Sequence, residues 1–299
     1  MISFFQHNGK NASVCVVLLA LTLGCTMTWA HGRYVLPSHT SLSANLDDKN
    51  LNSPAQAVAF TASITNDIFH PDKPLADDGK GNAEKSYQPF FKRLKTYVTQ
   101  PDGERRDMQW RAFSRFSASD LVIKQEGSYR VTIEQLSSPM TTYRTADGQP
   151  ARAFGPKPKL PEGAKDITRL ATASRVETFI TMNTPSNEVL KPAAEGLSLG
   201  GPTHPNDLFA QEPVVLSVFF DGAPMKAGRE VHITPGGTRH RNDREEIIAV
   251  TNDKGEFTVT FPRAGFYHLE AAMEVAGEKD SGIDVRHNTL YVTLEVFPQ

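Results

Sequence analysis

Apolar residues recur along this chain at a period of two far more often than at helical spacing. In "AQAVAFTASI" (55–64), Val58, Phe60, Ala62 and Ile64 fall on one face, as in a strand with one side buried. "RLKTYVTQPDGER" reads as a strand entering an Asp-Gly turn at Asp102 and Gly103, and "DLVIKQEGSYRVTIEQL" follows with Tyr129, Val131 and Ile133 in alternation. The later part repeats this grammar in "PVVLSVFFDGAPM", "GREVHITPGGT", "EEIIAVTNDKGEFTVTF", "AGFYHLEAAM" and "TLYVTLEVF", separated by glycine-containing breaks. Short strands at such spacing predict an all-β chain built as antiparallel sandwiches.

Two stretches share one device. "EGSYRVTIE" (126–134) and "AGFYHLEAA" (264–272) both carry Gly-x-Tyr followed by an aliphatic residue two positions on. A phenol that bonds back to nearby backbone at such a corner is a feature of immunoglobulin-like folds. The expectation is two tandem sandwiches, residues 31–195 and 196–299. A long Pro- and Gly-rich insertion, "RTADGQPARAFGPKPKLPEGAKDITRLATASRV", interrupts the first. Within it "GAKDITRLATAS" (163–174) is expected to make a short helix, after which "RVETFITMN" returns as a strand, and "KPAAEGLSLGGPTHPND" is the crossing into the second sandwich.

The first thirty residues differ in kind. They carry a single charge, Lys10, and the apolar run "VCVVLLALTLGC". That run is shorter than the roughly 20 residues of a spanning helix, and it ends before "TWA", the pattern of a secretory signal cut after Ala30. A cut before Cys25 with lipidation competes, but Thr22 stands where a lipobox wants a large aliphatic residue. The expected location is the periplasm, with no transmembrane segment in the mature chain. Cleavage also removes both cysteines, Cys15 and Cys25, so disulfides cannot support the fold. Net charge is −2, with no extended basic tract, which argues against nucleic acid as a partner.

"RVETFITMNTPSNEVLKP", "GPTHPNDLFAQEPVVLSVFFDGAPM", "VHITPGGTRHRND", "FPRAGFYHLEA" and "TLYVTLEVFPQ" resemble an exported bacterial domain-of-unknown-function family, formerly labelled a nickel-uptake substrate-specific region. Its members are also described as periplasmic components of cobalt or nickel transport. The family opens its mature chain with His, an aromatic residue and Pro, matched here by His31, Tyr34 and Pro37. The resemblance implies export, an immunoglobulin-like or prealbumin-like architecture, handling of a transition metal, and membrane transporter components as partners. His268 departs from it, standing where an aromatic residue is usual, as does "VRHNTLYV".

Eight histidines follow residue 30 and no thiol does. Imidazole and carboxylate donors suit divalent Ni, Co, Cu or Zn better than Cu(I). An N-terminal His31 would offer amine and imidazole to one ion, with affinity falling as pH drops through the low sevens and sixes. In "TNDIFHPDKPLADDGKGN" (65–82), Asp67 and His70 supply further donors on a loop after a strand. His39 and His204 complete the candidate set, although "PTHPND" around His204 is also what a stiff junction would use. His232 and His268 fall on the face opposite their aliphatic neighbours, which predicts exposure or a position at a domain seam.

No Gly-x-Ser-x-Gly elbow, phosphate loop or His-Glu-x-x-His helix is present. His31 with His39 or His70 and Tyr34 could imitate a copper oxygenase. Such enzymes display a flat aromatic surface, and Trp110 is the one tryptophan after residue 30. The sequence therefore predicts a non-enzymatic periplasmic protein that binds a divalent transition metal for uptake or delivery, with a metal-free adhesion or ligand-binding sandwich as the alternative.

Overall fold

Alternation carries through into the computed structural model, which describes residues 32–44 and 56–299. The expected signal segment and His31 lie outside the described residues. The strands are β1 (Gly32–Pro37), β2 (Ser41–Leu42), β3 (Ala57–Thr65), β4 (Lys73–Pro74), β5 (Leu94–Thr99), β6 (Arg105–Asp107), β7 (Arg111–Ala112), β8 (Ser117–Val122), β9 (Gly127–Arg144) and β10 (Pro150–Phe154). They continue as β11 (Lys165–Met182), β12 (Leu197–Gly200), β13 (Pro213–Phe220), β14 (Ala223–Pro224), β15 (Glu230–Pro235), β16 (Ile247–Val250), β17 (Glu256–Thr260), β18 (Gly265–Ala276) and β19 (Val285–Val296). A single turn of helix, α1 (Gln88–Phe91), precedes β5. No helix among the described residues is long and apolar enough to cross a membrane.

One ten-stranded sheet organises the rest. Its order is β16-β15-β18-β19-β11-β9-β5-β6, with β10 added beside β9 and β2 beside β11. The ladder between β11 and β19 is parallel, placing Val176 beside Tyr291 and Glu177 beside Val292. Because side chains alternate across a strand, this register fixes what each face carries. One face presents Val98, Tyr129, Val131, Ile133, Val176, Ile180 and Tyr291 to a core completed by Val35, Val58, Phe60 and Ala62 from β1 and β3. The opposite face presents Leu290, Val292 and Leu294, with Leu269 and Ile233, to a second core closed by Leu199, Leu216, Val218, Phe257 and Val259 from β12, β13 and β17. The apolar side of the sheet thus switches at β11, where Val176 and Ile180 face one core and Phe179 the other.

The structure is mostly β, as expected, and both tyrosine corners form. Tyr129 donates its hydroxyl to Gln125 O at 2.9 Å and Tyr267 to Arg263 O at 2.7 Å. Gly127 and Gly265 precede them at φ 119° and 135°, a backbone that only glycine adopts freely. The expectation of a helix over 163–174 is corrected: Lys165–Met182 is one continuous strand. Hydrogen bonding to β9 on one side and β19 on the other overrides the local helix propensity of "RLATA". The boundary expected at 195/196 falls where the covering layer changes sides, while the sheet runs on through β11 and β19, and His31–Gln299 forms one compact unit.

Where the sheet is not apolar it is sealed by charge. Arg175 donates to Glu134 at 2.6 Å, and Glu177, with 0 % of its side chain exposed, lies 3.8 Å from both Arg130 Nε and Arg175 Nε. Removing one member of such a set leaves a buried charge uncompensated.

β1 crosses the same sheet and is fastened to it at two points. Arg33 donates through Nη1 to Gln135 Oε1 at 2.7 Å and to Ser174 Oγ at 2.5 Å, with its guanidinium 5.6 Å from the centre of the Phe90 ring. Burial pushes the Arg33 pKa down, an effect Tyr291 partly offsets. His268, on β18, donates from Nε2 to Arg33 O at 2.9 Å and is 3 % exposed. It therefore occupies the seam. Burial pulls its pKa down to about 4, against the opposing effect of the Arg33 carbonyl and with a smaller push from Arg244.

Two outcomes follow. An unfolded His268 takes up a proton near pH 6.5 while the folded one resists to about 4, so the unfolded state binds more protons between those values. Stability is full above pH 6.5 and declines as pH falls, by about 2 kcal/mol between pH 7.5 and 5; urea titrations should show this loss, and His268→Gln should flatten it. Glu177→Ala should cost about 3–5 kcal/mol in the same assay.

Candidate functional site

Two of the candidate donors, Asp67 and His70, lie beside the end of β1 at which the described chain begins. Antiparallel pairing sets Gly32 opposite Thr65, so β1 starts beside the turn 65–72 that holds Asp67 and His70. Local bonds shape that turn: Thr65 donates to Asp67 O at 2.5 Å and to His70 O, His70 N donates to Asp67 O at 2.9 Å, and Asn66 N donates to Asp72 Oδ2 at 2.9 Å. Asp72 is thereby committed to the turn. Phe69 takes φ 62°, a left-handed conformation that costs a non-glycine residue free energy unless its surroundings hold it. Three rings do so: Tyr34 edge-on at 5.4 Å, Phe266 at 6.2 Å and His268 at 6.3 Å.

A second turn closes over the first. Ile68 N donates to Thr238 Oγ1 at 2.9 Å, and a side chain at Gly236 would put its Cβ 2.9 Å from the Phe69 ring. Arg241 secures this turn by donating to Gly236 O at 2.5 Å and Pro235 O at 3.0 Å. Beside it, Arg239 Nη1 contacts His70 Nε2. An arginine can only donate, so Arg239 sets a cation directly against the His70 ring. Phe69 also lines an open pocket of about 270 Å³ with Leu36, Gly236, Arg263 and Phe266.

The corner thus brings together the β1 start, Asp67 and His70, with Arg239 as a competing cation. The other candidates lie apart. His39 is exposed past the far end of β1, a strand about 20 Å long, with its Nδ1 3.1 Å from Ser38 Oγ. His204 is buried at the interlayer junction, its Nδ1 accepting from Asn206 N at 3.1 Å, while Asn206 holds Thr181 and Phe179 of β11. Burial lowers the His204 pKa, against opposing effects of the Ser186 backbone and Asp207. Tyr34 is a core residue at 2 % exposure, and burial pushes its phenol up to about 12, with Ser63 opposing and Asp72 adding to the shift. Among the described residues no three His, Cys, Asp or Glu side chains converge to hold a metal ion.

Sequence reasoning missed Arg239 and Thr238, and it left His268 between exposure and a seam, of which the structure shows the buried position against β1. The trace the first two left was the pair Gly236-Gly237 ahead of Thr-Arg-His, with Gly237 at φ 77° starting a short 3-10 turn.

No curated protein matches the chain. Among solved structures, it is similar to the D0-D1 domain of intimin, with 10% identity over 88% of this chain and 97% of the other and a TM-score of 0.19. It is also similar to Escherichia coli alpha-2-macroglobulin activated by porcine elastase, with 11% identity, 90% and 20% coverage and a TM-score of 0.23. A tetra-tandem repeat from the extending region of a large adhesion protein gives 12% identity, 89% and 74% coverage and 0.22. Likeness at these scores bears on neither fold detail nor function. The family model is different in weight: it matches residues 28–275, most of the sequence, and the chain therefore belongs to the DUF4198 family, a domain of unknown function.

Proposed function

We propose that this is a non-enzymatic periplasmic protein that binds a divalent transition metal of the Ni or Co type as cargo and passes it to membrane transporter components. The metal's donors are His31, through amine and imidazole, with His70 and Asp67. The observation that carries this reading is the Gly32–Thr65 pairing. It starts β1, at the first described residue, directly beside the end of β3 that leads into the 65–72 turn.

The chemistry of the donors supports it. His70 offers an imidazole nitrogen, a donor type that divalent metals of this class take. Among the described residues Asp67 shapes the turn through its backbone carbonyl, and its carboxylate is an oxygen donor of the type such a metal takes. Arg239 sets the condition: its guanidinium must leave His70 when a cation arrives, so apo and loaded forms differ in the 236–241 turn.

Calorimetric titration with Ni, Co, Cu and Zn tests the reading on protein whose first residue, confirmed by mass spectrometry, is His31. One equivalent should bind. Acetylating the amine and His70→Ala should each weaken binding at least tenfold, and Arg239→Gln should tighten it. Absence of binding, or binding indifferent to all three changes, contradicts the proposal and leaves the metal-free sandwich.

A further inference from the structure

The long insertion is a projecting ribbon with a chemistry of its own. Beyond the point where β19 begins, β9 and β11 continue as a three-stranded arm with β10, pairing Arg152 with Thr142, Phe154 with Met140 and Thr168 with Thr142. The arm is ordered by its own backbone: Thr145 N bonds Gln149 O at 2.9 Å and Gly155 N bonds Pro139 O at 3.0 Å. Its base is tied by Arg169 N donating to Asp284 Oδ2 at 2.7 Å. Yet no residue from 142 to 169 is buried. Residues 142–169 thus add no buried side chain to either core.

Its surface is unlike the rest of the molecule. Residues 139–169 hold Arg144, Arg152, Lys157, Lys159, Lys165 and Arg169 against Asp147, Glu162 and Asp166, a local excess of three positive charges in a chain of net −2. Of these, Arg144 is paired with Asp166 at 3.5 Å, while Lys157 and Lys159 flank the turn, which Pro156, Pro158 and Pro161 stiffen. Apolar side chains stand among them. Phe154 is 70% exposed, the largest exposure of any big apolar residue described, and Ile167 is 43% exposed. Water-facing aromatic and aliphatic groups are unfavourable in isolation. Interleaved with lysines on an arm, they match the composition that seats proteins in the headgroup layer, where the ring enters the interface and the cations meet lipid phosphates.

We infer that the β9–β10–β11 arm is a docking surface for an anionic phospholipid bilayer, with Phe154 as the inserted group and Lys157, Lys159 and Lys165 as the headgroup contacts. The inference stands apart from the metal site. The arm's amphipathic edge and charge excess carry it whether or not a cation binds at the β1 end.

Sedimentation of the His31–Gln299 unit with vesicles tests this, using 30% phosphatidylglycerol in phosphatidylethanolamine against pure phosphatidylcholine. Binding should be specific to the anionic vesicles and should be lost in 0.5 M salt. The triple change Lys157→Gln, Lys159→Gln, Lys165→Gln should lower the partition coefficient roughly a hundredfold, at about fivefold per lysine, and Phe154→Ala should lower it severalfold. Since no position altered is buried, urea midpoints should match the parent, which separates a docking defect from misfolding. Failure to bind anionic vesicles, or equal binding by the triple variant, overturns the inference. Retention on immobilised polyglutamate without vesicle binding would also overturn it, assigning the arm to an acidic macromolecule.

Discussion

The parallel ladder between β11 and β19 is the constraint on which this molecule depends. It joins two strands 115 positions apart in register, as Thr178 beside Thr293 illustrates, and it must satisfy two cores at once. Val176 and Tyr291 face one core while Leu290 and Val292 face the other. A shift of one residue in this register would turn Tyr291 into the wrong core and bring Leu290 to the side that β1 crosses. Parallel strands need a long crossover. Here the crossover runs from β12 to β18, taking in the covering strands β12, β13 and β17 together with β15, β16 and β18 of the ten-stranded sheet, so neither core closes until the last strand is in place.

The switch of apolar face also explains where polar groups are buried. The half of the sheet built from β9 and β11 turns Arg130, Glu134, Arg175 and Glu177 away from its own core. Charges so placed are tolerated only as a mutually compensating set. The face that β1 crosses carries polar groups on both halves, where Arg33 bonds Gln135 of β9 and Ser174 of β11 and His268 of β18 bonds the Arg33 carbonyl, and these hold that strand. The position of the β1 start, and with it the geometry of the candidate site, is therefore a consequence of the shared sheet and not of the 65–72 turn alone.

Much of this was legible in the sequence, for a physical reason. Period-two alternation marks strands wherever one side is buried, so the β3 face of Val58, Phe60 and Ala62 and the corners at Tyr129 and Tyr267 could be read directly. The opposite-face placement of His268 was legible too, but its burial was not, because the strand that covers it lies 235 residues away. The same limit explains the misread helix at 163–174: "RLATA" suits a helix locally, and only the hydrogen bonds to β9 and β19 decide otherwise. At the candidate site, Asp67 and His70 stand out in the sequence by donor chemistry alone, whereas the contact of Arg239 with His70 does not, since it comes from one turn folding over another.

Coupling between the two cores is the most direct test of this account. Trp110 sits in the first core at 1% exposure and is the sole tryptophan of the His31–Gln299 unit, so its fluorescence reports that core. Hydrogen exchange of β13 and β17 amides reports the other. Followed together through a urea titration, the two signals should change at one midpoint, because both cores rest on the β11–β19 ladder. Loss of β13 and β17 protection at a distinctly lower urea concentration, with Trp110 still buried, would show two independent sandwiches and contradict the shared-sheet account.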